Sequence, residues 1–93
     1  MNMRYILCHW IQEDLDEPVK IYSEVDEEGH ELRKVEVYRD GTADYATQEV
    51  AVGQAGLALI LFPSIEEINM DSETVAEEIS PAEFKNIWKK YVG

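Results

Sequence analysis

One cysteine and three prolines occur in 93 residues, and only eight lysines and arginines stand against twenty aspartates and glutamates. A single thiol, Cys8, rules out an intramolecular disulfide and a multi-cysteine zinc site, so nothing in the chain demands an oxidising compartment and the cytosol is the expected location. The shortage of cations removes the electrostatic footprint of a nucleic-acid binder. Long hydrophobic runs are missing too: the longest, Leu57 to Phe62, has six residues, where a membrane helix needs about 20. No membrane partner is expected. The apolar stretch Tyr5 to Ile11 is interrupted by His9 and has no small-residue cleavage motif after it, which argues against export by a signal peptide.

What is abundant is acid. The net charge is −12 while 45% of the residues are hydrophobic, including two Trp and five Tyr. That balance separates the chain from acidic disordered tails, which lack the aromatic and branched side chains needed to offset ordering entropy. The length predicts one domain spanning residues 1–93, with a single modest core. Its surface repels phosphate backbones and anionic membrane and attracts basic proteins.

Arg4 to Ile11 is rich in aromatic and β-branched residues and reads as a strand, ending at the acidic loop Gln12 to Pro18. Val19, Ile21, Ser23 and Val25 alternate with Lys20, Tyr22 and Glu24, the period of two of a second strand. Asp26 to His30, with Gly29, then turns the chain into a third strand, Leu32 to Arg39. Asp40-Gly41 predicts a type I′ turn into a fourth strand, Thr42 to Thr47, completing an antiparallel meander. After a looser stretch from Gln48 to Gly56, the unalternating run Leu57 to Phe62 reads as a buried strand, because exposed it would be an aggregation hazard. Ser64-Ile65-Glu66-Glu67 has the capping-box pattern of a short helix reaching Asn69. The clearest helix is the last one. Ser80 caps it, Pro81 takes its first position, Glu83 completes the box and Ile79 can staple against Phe84. Phe84, Ile87, Trp88 and Tyr91 form its apolar stripe. The expected fold class is α+β, an antiparallel sheet of four or five strands with the C-terminal helix packed on one face.

Catalytic constellations are weak. Cys8 and His9 are neighbours on a strand and point to opposite faces, so they cannot form a nucleophile–base pair. Cys8 reads as a small buried hydrophobe and His9 as a hydrogen-bonded structural residue. Asp14, Asp16 and Glu17, or Asp26, Glu27 and Glu28, offer oxygens to a hard cation, but neither run has calcium-loop spacing, and no metal or other cofactor is expected. Glu24, Glu31, Glu36 and Asp40 could support acid–base chemistry only if the fold converged them. Gly53 to Gly56 lacks the lysine and hydroxyl of a phosphate loop. Trp10, Phe84, Trp88 and Tyr91 read as core.

The acid itself is the remaining feature. It points to a non-enzymatic interaction protein that presents Glu13, Asp14, Asp16, Glu17, Asp26, Glu27 and Glu28 to a basic protein partner, with Trp10 and Tyr22 as aromatic anchors. Two alternatives stand beside it: a small hydrolase or isomerase using His9 with a carboxylate from a neighbouring strand, and a homodimer of structural role paired through an edge strand.

Several segments carry a resemblance: HWI at His9 to Ile11, the stretch from Glu17 to Asp26, RKVEVYRDG from Arg33 to Gly41, EEIN from Glu66 to Asn69 and EISPAEFKNIW from Glu78 to Trp88. Together they resemble a family of small uncharacterised bacterial proteins, a domain of unknown function of about this length. The family in turn resembles the immunity partners of polymorphic toxins, small acidic proteins that bind and block a toxin domain. The resemblance brings no catalytic motif, and it fits Gln48 to Phe62 least well.

Overall fold

Seven elements follow one another along the chain: β1 (Arg4–Trp10), β2 (Lys20–Val25), β3 (Glu31–Val37), β4 (Ala43–Thr47), α1 (Ile65–Asn69), β5 (Thr74–Ile79) and α2 (Pro81–Tyr91). The computed structural model describes residues 2–93. Its five strands form one sheet in the order β4-β3-β2-β1-β5, with every neighbouring pair antiparallel. The expected meander is therefore present, and α2 lies on one face of the sheet, giving the α+β class read from the sequence. Among the described residues no helix is long and apolar enough to cross a membrane.

Both hairpins of the meander close alike. Asp26 N–H donates to His30 O and Gly29 N–H to Asp26 O; Tyr38 N–H donates to Thr42 O and Gly41 N–H to Tyr38 O. Gly29 and Gly41 take φ of 99° and 90°, whereas no non-glycine described residue has positive φ. The type I′ turn expected at Asp40-Gly41 needs two consecutive positive φ values, so the longer loop with a single left-handed glycine forms instead. Asp26 and Asp40 carboxylates brace these loops by accepting from Glu28, His30 and Thr42 backbone N–H groups.

Period-two alternation divides the sheet into a helix face and an opposite face. On the helix face Leu7, Tyr22, Val35, Val37 and Ile79 pack with Phe84, which is 1% exposed, and Tyr5, Tyr45, Trp88 and Tyr91 close the rim. The α2 cues hold. Ser80 Oγ accepts from Glu83 N–H at 3.1 Å, Pro81 opens the helix, and Ile79 and Phe84 share one cluster. Tyr22 is only 8% exposed in this core, so it presents no aromatic surface and the anchor role expected of it is corrected. Trp10, read both as core and as anchor, is half-buried at the end of β1.

Two elements depart from expectation. Leu57 to Phe62 is not a strand; it belongs to an irregular strap crossing the face opposite α2. The fifth strand is Thr74–Ile79, which occupies the edge of β1. Its apolar content is interrupted by Glu77 and Glu78, so it carries no alternating signature. The edge of β4 is taken by the strap's own start, where Ala46 bridges Ala51 and Val52 N–H donates to Tyr45 O at 2.8 Å.

One charged group sits inside the helix-face rim. Arg33 donates from Nε and one Nη to the two oxygens of Glu24 at 2.7 and 2.8 Å, and its guanidinium lies 5.0 Å from the Phe84 ring centre and 4.6 Å from that of Trp88. The Arg33 hydrogen bond holds the Glu24 carboxyl below its ordinary range despite partial burial. A depressed carboxylate stabilises the fold above its unfolded pKa, and that contribution is lost as pH falls through the folded value. Replacing Arg33 by Ala orphans Glu24 and strips the cation from two rings, at an expected cost of about 3 kcal/mol near neutral pH. In urea titrations the deficit should shrink at pH values under 4.5, the ordinary glutamate value, as Glu24 becomes protonated. A deficit that is the same at both pH values would contradict the pairing.

Candidate interaction surface

The face opposite α2 has little apolar surface of its own. Ile6, Val25 and Ala76 form a small cluster near one end, covered by Phe62, Ile65 and Ile68. Next to it the sheet presents Ser23, Glu31 and Lys34. A register shift at Glu24/Val25 makes Val25 the partner of Glu31 and Glu24 the partner of Arg33. Without that bulge, alternation would put Glu31 beside Arg33 on the helix face; with it, Glu31 turns toward Ser23 and Lys34.

The Glu31 side chain is 1% exposed and fully engaged. Its Oε2 accepts from Ser23 Oγ at 2.7 Å, and its Oε1 accepts from Ala58 N–H at 2.8 Å and lies 3.0 Å from Lys34 Nζ. Lys34 Nζ also donates to Gly56 O at 2.9 Å, and Phe62 N–H donates to Gly29 O at 2.7 Å. Upstream, Asp44 accepts from Tyr38 Oη and from Gln54 N–H at 2.7 and 3.1 Å. Gly53 lies so close that a Cβ there would fall 2.2 Å from the Asp44 carboxyl, at a φ of 66°, so only glycine fits.

The strap is thus tied down through its backbone, with Ala55 buried and Val52, Leu57 and Phe62 half-buried, while its three consecutive residues Leu59 to Leu61 turn outward. Leu59 is fully exposed, Ile60 is 77% exposed and Leu61 59%. Leu61 rests on the β2–β3 hairpin, 3.6 Å from where a Cβ of Gly29 would stand, which sets the apolar strip against Asp26, Glu27 and Glu28. Burying such side chains is worth about 1.5–3 kcal/mol each, and three consecutive ones are left in water on this face. A narrow apolar cleft of about 230 Å³ runs beside the strap, lined by Cys8, Ile21, Ile60, Leu61, Phe62 and Ile68 among others. Burial, aided by the Asp71 charge, pushes the Cys8 thiol pKa up, so the group there is a neutral thiol.

The acidic residues singled out in the sequence do not share one face. Glu13, Asp14, Asp16 and Glu17 lie in the β1–β2 connection at the Trp10 end of the sheet, while Asp26, Glu27 and Glu28 lie in the β2–β3 hairpin at the other end. Six register pairs between β1 and β2 separate them, about 20 Å at the rise of a strand. Antiparallel neighbours must connect at alternate ends, so the acid expected on one face lies at two opposite ends of the sheet. Trp10 goes with the first loop. Asp14, Asp16 and Glu17 are held only by local contacts such as Asp16 N–H to Asp14 Oδ1 at 2.9 Å. Among the described residues lysines and arginines form ion pairs with just three carboxylates, Glu24, Glu31 and Glu36, leaving both acidic loops without one.

The catalytic alternatives fare differently. Glu24 faces α2 while Glu31 and Glu36 face the strap, and Asp40 is spent on its turn, so these four carboxylates do not converge. His9 pairs in register with Lys20 and Val75, does not line the cleft beside the strap, and makes no hydrogen bond through its ring among the described residues. It is half-buried rather than the hydrogen-bonded residue expected. No three His, Cys, Asp or Glu side chains among the described residues cluster as metal ligands.

The architecture is that of a small antiparallel α+β sheet capped by a C-terminal helix, with an apolar strap on its reverse. Residues 4–93 match the family model Domain of unknown function (DUF6881), and the chain belongs to that family. No curated protein and no solved structure gives a match.

Replacing Glu31 by Ala would leave Ser23 Oγ, Ala58 N–H and Lys34 Nζ without their acceptor in a dry site, with an expected loss of about 3–5 kcal/mol. Glu31→Gln keeps an acceptor oxygen and should lose less. Urea midpoints of the two variants check the order; equal stability of wild type and Glu31→Ala would contradict the tether.

Proposed function

We propose that this chain is a non-enzymatic binding protein that docks on a basic protein partner and works by occlusion, in the manner of a cytosolic bacterial immunity protein blocking a toxin domain. The observation that carries this reading is the exposed Leu59-Ile60-Leu61 strip beside the exposed carboxylates of Glu27 and Glu28, which pair with no lysine or arginine among the described residues. Apolar surface supplies affinity once water is excluded, and surplus acid around it supplies steering and selects a cationic partner. The hairpin end of the sheet offers both. The loop holding Glu13, Asp14, Asp16 and Glu17 adds long-range attraction from the far end.

The test uses the protein encoded beside this chain, or in its absence the basic protein that the immobilised chain retains from its native cells at low salt. Leu59→Ser with Leu61→Ser should weaken binding about 30-fold, chiefly through faster dissociation. Glu27→Lys with Glu28→Lys should slow association and flatten its dependence on salt. Charge reversal at Asp14 and Asp16 should slow association less. Association rates unaffected by all four charge reversals, or turnover of a small molecule that His9→Ala abolishes, would contradict the reading.

A further inference from the structure

Only eight lysines and arginines occur in the chain, yet six of them line the two clefts that flank α2. Lys20, Arg39 and Lys90 border one, of about 440 Å³. Arg33, Lys85 and Lys89 border the other, the roomiest described, at about 570 Å³. No Asp or Glu is among the residues lining either cleft, in a chain where acids outnumber bases by twelve.

The larger cleft also has aromatic walls. Tyr5 and Phe84 have ring centres 5.0 Å apart, and Phe84 and Trp88 lie nearly parallel at 6.1 Å, 22° between planes. Arg33 projects against these rings and is fixed there by Glu24, which occupies Nε and one Nη and leaves the other Nη without a partner among the described residues. Glu24 neutralises the Arg33 charge, so the net positive potential comes from Lys85 and Lys89. These are one helical turn apart on α2, beside the rings. Neither has a carboxylate partner among the described residues. Flat rings, a fixed donor and two free ammonium groups are complementary to a planar ring bearing a negative group. The volume falls within the usual range of small-ligand sites, about 300–1,000 Å³.

We propose that the cleft between α2 and strands β1 and β3 binds a small aromatic carboxylate, its ring against Trp88 and its negative group held by Lys85, Lys89 and the unengaged Nη of Arg33. This site is independent of the strap and of the basic partner, because it lies on the other face of the sheet and selects the opposite charge.

The test titrates the full chain with 2-naphthoate and follows amide, Arg33 Nε–H and Trp88 indole N–H signals by NMR. Saturable shifts should centre on Arg33, Lys85, Trp88 and Lys89. Lys85→Gln with Lys89→Gln, both at exposed helix positions that leave folding intact, should weaken binding about tenfold. Lys90→Gln, which removes a charge from the other side of α2, should leave it unchanged, and neutral 2-naphthamide should bind correspondingly less well. Absence of shifts at millimolar 2-naphthoate, shifts centred on residues 57–63, or equal affinity in the double lysine variant would each overturn the proposal.

Discussion

The carboxylate of Glu31 is the point on which the reverse face of this sheet is organised. It is almost completely removed from water, and that position is tolerable only because Ser23, Lys34 and the Ala58 N–H satisfy it together. Two of those partners belong to the sheet. The third belongs to the strap, so the same bonds that make the charge affordable also fix where the strap runs. A strap held by its backbone is free to turn its side chains outward, and Leu59, Ile60 and Leu61 do so. An apolar core under the strap would have given the opposite result, with those residues inside and a plain acidic exterior.

Charge is distributed by the same topology. Antiparallel connections throw the β1–β2 loop and the β2–β3 hairpin to opposite ends, so acid marks both ends, while α2 gathers cations and rings along one face. The free edge of β5 carries Glu77 and Glu78, which discourages pairing with another strand. Net charge alone describes a uniformly acidic particle. The fold makes it a particle with distinct faces, of which the strap side is apolar beside acid and the helix side aromatic beside base.

Much of this architecture could be read from the residues in order. The alternation of Val19 to Val25, the glycines of two hairpins and the four cues around Ser80 are local signals, and local signals place local structure. What could not be read depends on contacts between distant positions. Thr74 to Ile79 becomes a strand because β1 offers a free edge, and the two glutamates in it hide the pattern. Leu57 to Phe62 has the composition of a buried strand, yet β5 takes the edge of β1, the strap's own start takes the edge of β4, and its backbone is captured by Glu31 and Lys34. The critical event is the bulge at Glu24/Val25, which moves Glu31 across the sheet; simple alternation assigns it to the wrong face. Alternation sets Tyr22 between polar neighbours, Lys20 and Glu24, and this conceals that its face is the one α2 covers. The cluster of cations beside α2 combines residues from β2, β3, the turn after β3 and the helix and has no footprint in any single segment.

Amide hydrogen exchange across residues 57–62 tests the tether most directly. The structure gives hydrogen-bond acceptors to the Ala58 and Phe62 N–H groups and to no other N–H of that segment among the described contacts. Slow exchange at Ala58 and Phe62 with fast exchange at Leu59, Ile60 and Leu61 is the predicted pattern. Regular alternating protection, as in a paired strand, or fast exchange at Ala58 would contradict the role assigned to Glu31.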